Sequence, residues 1–220
     1  GWQNEKLKFK PAFIFNTAGK KEKKINKLGK LLLIEKQFIS KFSWDTYAEY
    51  KNYFESQKKF VDKLEPKIKN EMIIKLHPRF HYKIFDEESR WTEFDPKLKI
   101  ETKDVNINKL ITKSRLVVYS YDSTGILENF SQNIPTLAFW QNNLDHLRNE
   151  VKNDYQILID AGIIHLSVQS VTDKINEIWN NVDGWWHQKN VQEAKIKFCS
   201  KYARGCDYPA KKMANLLMEK

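Results

Sequence analysis

A chain of 220 residues that is 41% hydrophobic and 13% aromatic is long enough for one domain with a real core, and seven glycines and six prolines exclude a low-complexity or collagen-like chain. It has no run of about 18 apolar residues to form a membrane-spanning helix, and its opening GWQNEKLKFK lacks the charged-then-apolar pattern of a targeting signal. A net charge of +10 calls for an anionic partner: a phosphorylated ligand, nucleic acid or a membrane face.

Along the chain, short apolar runs alternate with helical patterns. Ala12–Phe15 predicts a lead-in strand, and Lys20-Lys21-Glu22-Lys23-Lys24 reads as a solvated loop. Asn16-Thr17-Ala18-Gly19-Lys20 is P-loop-like, but the earlier glycine and the Ser/Thr after the lysine are missing. Leu31–Ile34 is a strand. Asp45–Leu64 places Tyr47, Tyr50, Phe54, Phe60, Val61 and Leu64 near helical spacing. Strands follow at Met72–Leu76, Leu98–Ile100, Leu116–Tyr119 and Thr136–Trp140, with short helices at Asn106–Thr112 and Thr124–Gln132. Beyond Trp140 the pattern is helical over about 147–161, 171–181, 185–203 and 209–219, with Asp183-Gly184 and Arg204-Gly205 as breaks. Strands alternating with helices predict an α/β fold, a Rossmann-like parallel sheet with a helical carboxyl-terminal tail. Residues 1–30 form the lead-in, 31–167 the α/β core and 168–220 the helical tail of one domain. Cys199 and Cys206, seven apart in helix, are expected as free thiols.

In such a sheet the strand-to-helix turns carry the chemistry. The first candidate is Lys75-Leu76-His77-Pro78-Arg79, where the proline ends the strand and His77 and Arg79 can donate to a phosphate or a base. The second is Asp122-Ser123-Thr124-Gly125-Ile126. If a helix starts at Ser123 or Thr124, its unpaired N–H groups, the two hydroxyls and the small Gly125 make a phosphate cradle. The same residues also make an ordinary N-cap. Glu128, one turn on, can reach a ribose hydroxyl. His77 and His81 have a proline between them and no third ligand nearby, so no metal is expected. Ser123 has no G-x-S-x-G context. There is no RNP-type, zinc-finger or helix-turn-helix signature, so nucleic acid is not the expected partner.

Ser114-Arg115-Leu116, Tyr121–Glu128, Asn133-Ile134-Pro135-Thr136 and Phe139-Trp140 together resemble the carboxyl-terminal half of a family of bacterial surface-carbohydrate transferases. Asp160-Ala161-Gly162-Ile163, Asn176-Glu177-Ile178-Trp179 and Val182-Asp183-Gly184-Trp185-Trp186 extend the match. The resemblance implies a GT-B glycosyltransferase, whose carboxyl-terminal domain binds the nucleotide sugar. His77-Pro78 with Ser123-Thr124 also resembles the histidine-proline and serine/threonine motifs of sialyl- and Kdo-transferases, which implies a CMP-linked donor and no metal. In the family an aromatic residue precedes the proline and a histidine follows it; here His77 and Arg79 stand there. The resemblance further implies a cytoplasmic domain, peripheral to the inner membrane, with the acceptor-binding domain and the catalytic base lying amino-terminal to this chain. Alone, the chain is then expected to be inactive. A non-catalytic basic domain binding nucleic acid or anionic membrane, and a GT-B-like sugar epimerase, are the alternatives.

Overall fold

Lys30–Ile34 reads KLLLI, and Leu31, Leu32 and Leu33 are fully buried. A strand apolar at consecutive positions must be covered on both faces, which places it inside a parallel sheet. The computed structural model describes residues 13–14, 17–19, 26–36, 44–77, 85–103 and 105–218, the side chains of 44–46 excepted, and puts this strand, β1, in the middle of the sheet. β2 (Met72–Lys75), β3 (Lys99–Glu101), β4 (Ser114–Tyr119), β5 (Thr136–Phe139) and β6 (Ile164–His165) complete it. All pair in parallel, in the order β3-β2-β1-β4-β5-β6. The chain moves outward from β1 to β2 and β3, returns to the other flank of β1, and moves outward again. The reversal lies between β1 and β4, where Leu31 pairs with Leu116 and Ile34 with Tyr119. This is the topological switch point of a doubly wound sheet, and ligands of such sheets bind at the carboxyl ends beside it.

Helices make every crossover. α1 (Trp44–Lys63) and the single turn α2 (Pro66–Asn70) join β1 to β2; α3 (Glu87–Phe94) precedes β3 and α4 (Ile107–Ile111) precedes β4. α5 (Thr124–Ser131) and α6 (Asn149–Asp160) lead into β5 and β6. The tail is α7 (Val168–Ile178), a 3₁₀ turn at Trp179–Asn181, α8 (Val182–Trp186), α9 (Lys189–Tyr202) and α10 (Pro209–Met218). α7 folds back against α1, and α9 lies over α5 and α6. Phe60 of α1 stacks on Phe139 of β5 with centroids 4.9 Å apart. On the other face Phe130 of α5 meets Trp186 at 6.1 Å and Phe198 of α9 at 6.3 Å. The first contact fixes α1 to the sheet, and the others join α5 to α8 and α9 in the opposite layer.

Several expectations change. Of the lead-in strand only Phe13 and Ile14 are described, and neither is in a strand; the Ile14 N–H donates to the Arg204 carbonyl at 3.0 Å. The lysine run 20–24 lies outside the described residues. α2 and α3 were not expected, because α2 is one turn and α3 buries only Trp91, too little apolar repeat to see. β6 is two residues long and shows no run of its own. Gly184 does not break a helix: it sits inside α8, where a Cβ would collide with the Asn181 side chain that caps its N–H. The break falls at His187 and Gln188 instead. Cys199 and Cys206 are both free thiols, the Cys199 thiol pushed up to about 11 by burial.

Candidate functional site

β4 ends at Tyr119, and the chain crosses the carboxyl edge through Ser120, Tyr121 and Asp122 before α5 begins. Ser123 has extended backbone (φ −134°, ψ 143°), and its hydroxyl oxygen accepts from the Gly125 N–H at 3.1 Å, so it is the N-cap of α5. The hydroxyl's own proton is not used by any hydrogen bond among the described residues. Thr124 is exposed at the first helical position. Gly125 has a packing reason to lack a side chain: a Cβ there would lie 2.5 Å from the Tyr119 hydroxyl and 2.8 Å from its ring. Burial, then the neighbouring Tyr121 and Glu128, keeps the Tyr119 phenol from ionising in the normal range. Glu128 is half-buried one turn on, its carbonyl accepting from Ser131 and Gln132. Asp122 anchors the turn, facing His146 Nε2 at 3.2 Å and accepting from the Tyr155 hydroxyl at 3.1 Å.

His77 lies two residues past β2, half-buried. Because β2 and β4 both run parallel to β1 and flank it, two strand spacings or about 9–10 Å apart, His77 and the Ser123–Gly125 turn follow strand ends at the same edge of the sheet. Their 46-residue separation in sequence is closed by the sheet alone. Arg79 lies outside the described residues, as does His81. Lys75, two positions before His77, is buried and donates to the carbonyls of Lys103 at 2.6 Å and Glu101 at 3.5 Å, so it secures the end of β3.

The switch point itself holds a buried acid that no sequence motif marks. Glu35 follows β1 and is 3% exposed; its Oε2 accepts from the Trp91 indole at 3.1 Å, while Oε1 finds no hydrogen-bond partner among the described residues. Burial, with the charge of Glu87, pushes the Glu35 carboxyl up to about 8 against the opposing Trp91 hydrogen bond. Burial likewise lifts Glu87, at the start of α3, to about 7. Next to them the Lys36 N–H donates to the Tyr53 hydroxyl at 2.9 Å, Tyr53 meets Ser120 Oγ at 2.6 Å, and Ser120 donates to the Ile34 carbonyl at 3.2 Å. With every proton given an acceptor, Tyr53 donates to Ser120, and one chain of bonds ties α1 to the ends of β1 and β4. The visible hint was a carboxylate directly after LLLI at the end of a central strand.

On the α1 side of this point lies a cleft of about 440 Å³, lined by Asn52, Tyr53 and Gln57 of α1 and by Ser120, Gln141 and Asn142 after β4 and β5. Among the described residues no group of three or more His, Cys, Asp or Glu could hold a metal ion. No helix among them is long and apolar enough to cross a membrane.

The architecture is a Rossmann-like, doubly wound α/β domain with a capped helix start, a buried acid and a polar cleft gathered at its switch point. The chain belongs to the LIC12162 family of transferases, whose family model matches residues 1–217. No curated protein matches it. Among solved structures it is similar to the glycotransferase of kitacinnamycin (14% identity, TM-score 0.46, covering 94% of this chain and 47% of that one). It is also similar to the spinosyn rhamnosyltransferase SpnG complexed with thymidine diphosphate (14% identity, TM-score 0.42, covering 94% of this chain and 49% of that one). The chain thus spans about half the length of these proteins. The transferase expected from the residue motifs is met by the family; none of these matches carries the narrower likeness to sialyl- and Kdo-transferases.

Proposed function

We propose that this chain is the donor-binding half of a GT-B glycosyltransferase in bacterial surface-polysaccharide synthesis, taking a nucleotide sugar at the carboxyl edge of its sheet. The observation that carries the reading is the start of α5. A helix of eight residues begins at the end of β4, beside the switch point, with Ser123 and Thr124 in its first turn and His77 on the same edge. Its first-turn N–H groups and dipole favour an anion there. Membership of a transferase family supplies a reason for an anion to be present, since a nucleotide sugar leaves its phosphate behind when the sugar is displaced. The share of this domain is to steady that leaving phosphate through the α5 start, with His77 and Arg79 as further donors, in a way that strengthens as charge develops. The catalytic base and the acceptor site belong, in this reading, to an amino-terminal partner domain, and the whole works at the cytoplasmic face of the inner membrane.

The net charge of +10 also suits a domain that holds any polyanion. Calorimetric titration of the purified chain with CMP, UMP, inorganic phosphate and a short oligonucleotide separates the two. A donor domain binds one nucleotide more tightly than the other and more tightly than phosphate, with a modest salt dependence. Binding that ignores the base, favours the oligonucleotide and collapses with salt overturns the donor reading in favour of a basic interaction domain.

A further inference from the structure

Asp122 stands directly before Ser123, the N-cap of α5. A carboxylate there suits the helix dipole but repels any anion that the same first-turn N–H groups take up. The fold nevertheless holds this carboxylate in place. The Tyr155 hydroxyl of α6 donates to Asp122 Oδ2 at 3.1 Å, and His146 Nε2 lies 3.2 Å from the same oxygen. No lysine or arginine forms an ion pair with Asp122 among the described residues, so a protonated His146 is the charge set against it.

The loop after β5 is shaped to deliver that imidazole. Asn142 and Asn143 both have left-handed backbone (φ 70° and 52°), a conformation that few residues besides glycine take readily. The Trp140 indole donates to the Asn143 carbonyl at 2.8 Å, and Leu144 is buried. The Trp140 ring stands perpendicular to His146, with centroids 5.5 Å apart, and meets Tyr155 at 6.3 Å. One indole thus packs against both groups that hold Asp122. The groups around His146 are Asp122 from the turn after β4 and Trp140 from the end of β5, with Tyr155 of α6 reaching it through Asp122. Its own loop adds Asp145 and Arg148, both exposed. The His146 side chain is 42% exposed, so it exchanges its proton with solvent.

An ionised carboxylate only accepts, so a neutral His146 keeps its one proton on Nε2 and the pair carries a net negative charge. With a second proton the pair is neutral. We propose that His146 is a positioning residue of the anion site, acting through Asp122: its proton cancels the carboxylate beside the α5 start, so that anion and proton are taken up together. The inference rests on the function proposed above, which puts the donor's phosphate at that turn. Such coupling is reciprocal, and the anion holds the proton on His146 as strongly as the proton holds the anion. Donor affinity is then greatest where His146 is protonated and declines as rising pH removes that proton.

The test uses sulfate, whose charge stays constant between about pH 5.5 and 8, the interval in which histidines commonly titrate. Binding is read by NMR from the Thr124 and Gly125 amides of the ¹⁵N-labelled chain, and protonation from the His146 ring nitrogens. The wild type is expected to bind sulfate about two- to fivefold more tightly at the lower pH. Saturating sulfate is expected to keep the His146 proton to higher pH. His146→Gln can still donate to Asp122 but cannot ionise, and is expected to bind at the wild type's high-pH level throughout. Asp122→Asn still accepts from Tyr155, removes the opposing charge, and is expected to bind more tightly than wild type at the higher pH. Both positions are exposed, and each variant tests the coupling without the other. Weaker binding by Asp122→Asn at the higher pH overturns the proposal, because the carboxylate is then only a prop for the turn. An undiminished pH dependence in His146→Gln overturns it as well. In both cases, shifts at Thr124 and Gly125 leave the donor reading standing. Amides that neither sulfate nor UMP moves in the wild type at either pH remove the phosphate site, and this inference with it.

Discussion

Gly125 has no side chain because the Tyr119 phenol occupies the space one would need. Tyr119 is 3% exposed and cannot swing aside cheaply. Gly125→Ala is therefore expected to lose about 1–3 kcal/mol of stability, read from urea denaturation. The loss should shrink in a Tyr119→Leu background, whereas strictly additive costs would remove the contact as the cause. Glu35 gives a pH signature. Its folded carboxyl is held at about 8 against an ordinary 4.5, so between those values the folded chain keeps a proton that the unfolded chain has lost. Stability then falls as pH rises through that window, by at most about 1.4 kcal/mol per pH unit. Glu87, raised to about 7, adds in the same direction over the lower part of the window. Glu35→Gln keeps an acceptor for Trp91 and cannot ionise, so its stability should decline less between the bottom and the top of the window. A slope as steep as wild type would show that the fold does not hold Glu35 protonated.

The elements differ in how plainly the sequence announces them. β1, β2, β4 and β5 are continuous apolar runs and were legible as buried parallel strands, and α1 carries its apolar positions at helical spacing over twenty residues. α3 was not legible, since EESRWTEF offers one buried side chain, Trp91, which reaches Glu35 and packs edge-on against Phe54. What locks these elements at the carboxyl edge is a bond chain that no pattern displays, running from Lys36 through Tyr53 and Ser120 to Ile34. Tyr53→Phe leaves the Lys36 N–H without its acceptor and is expected to cost about 1–3 kcal/mol. Native-state hydrogen exchange gives the sharper reading: the Lys36 amide should exchange faster in the variant while amides in β4 away from Ser120 keep their protection. An unchanged Lys36 rate would mean that Tyr53 does not hold the end of β1.

Across the whole molecule, the sequence disclosed the half of the site that depends on residue type and hid the half that depends on burial. Asp122-Ser123-Thr124-Gly125 reads as a helix start because those residues suit one, and the sheet then carries it to the edge that His77 shares. Glu35 and Gln57 look like ordinary polar residues in the chain. Only the fold sets Trp91 against the Glu35 carboxyl, 56 positions away, and buries Gln57 to 1% exposure. The central claim is that the α5 start is a phosphate cradle as well as a cap, and Thr124 separates the two. Ser123 is the cap, so Ser123→Ala costs about 1 kcal/mol of stability on either account. Thr124 is exposed and its hydroxyl makes no hydrogen bond among the described residues, so a cap alone has nothing to lose there. The decisive measurement is nucleotide affinity against unfolding midpoint for Thr124→Ala, using whichever of CMP and UMP the wild type binds more tightly. A cradle predicts a binding loss of about 1.5–3 kcal/mol, the worth of a donor to a charged group, with the midpoint unchanged. Unchanged affinity in Thr124→Ala, or a wild type that binds neither nucleotide, would contradict it.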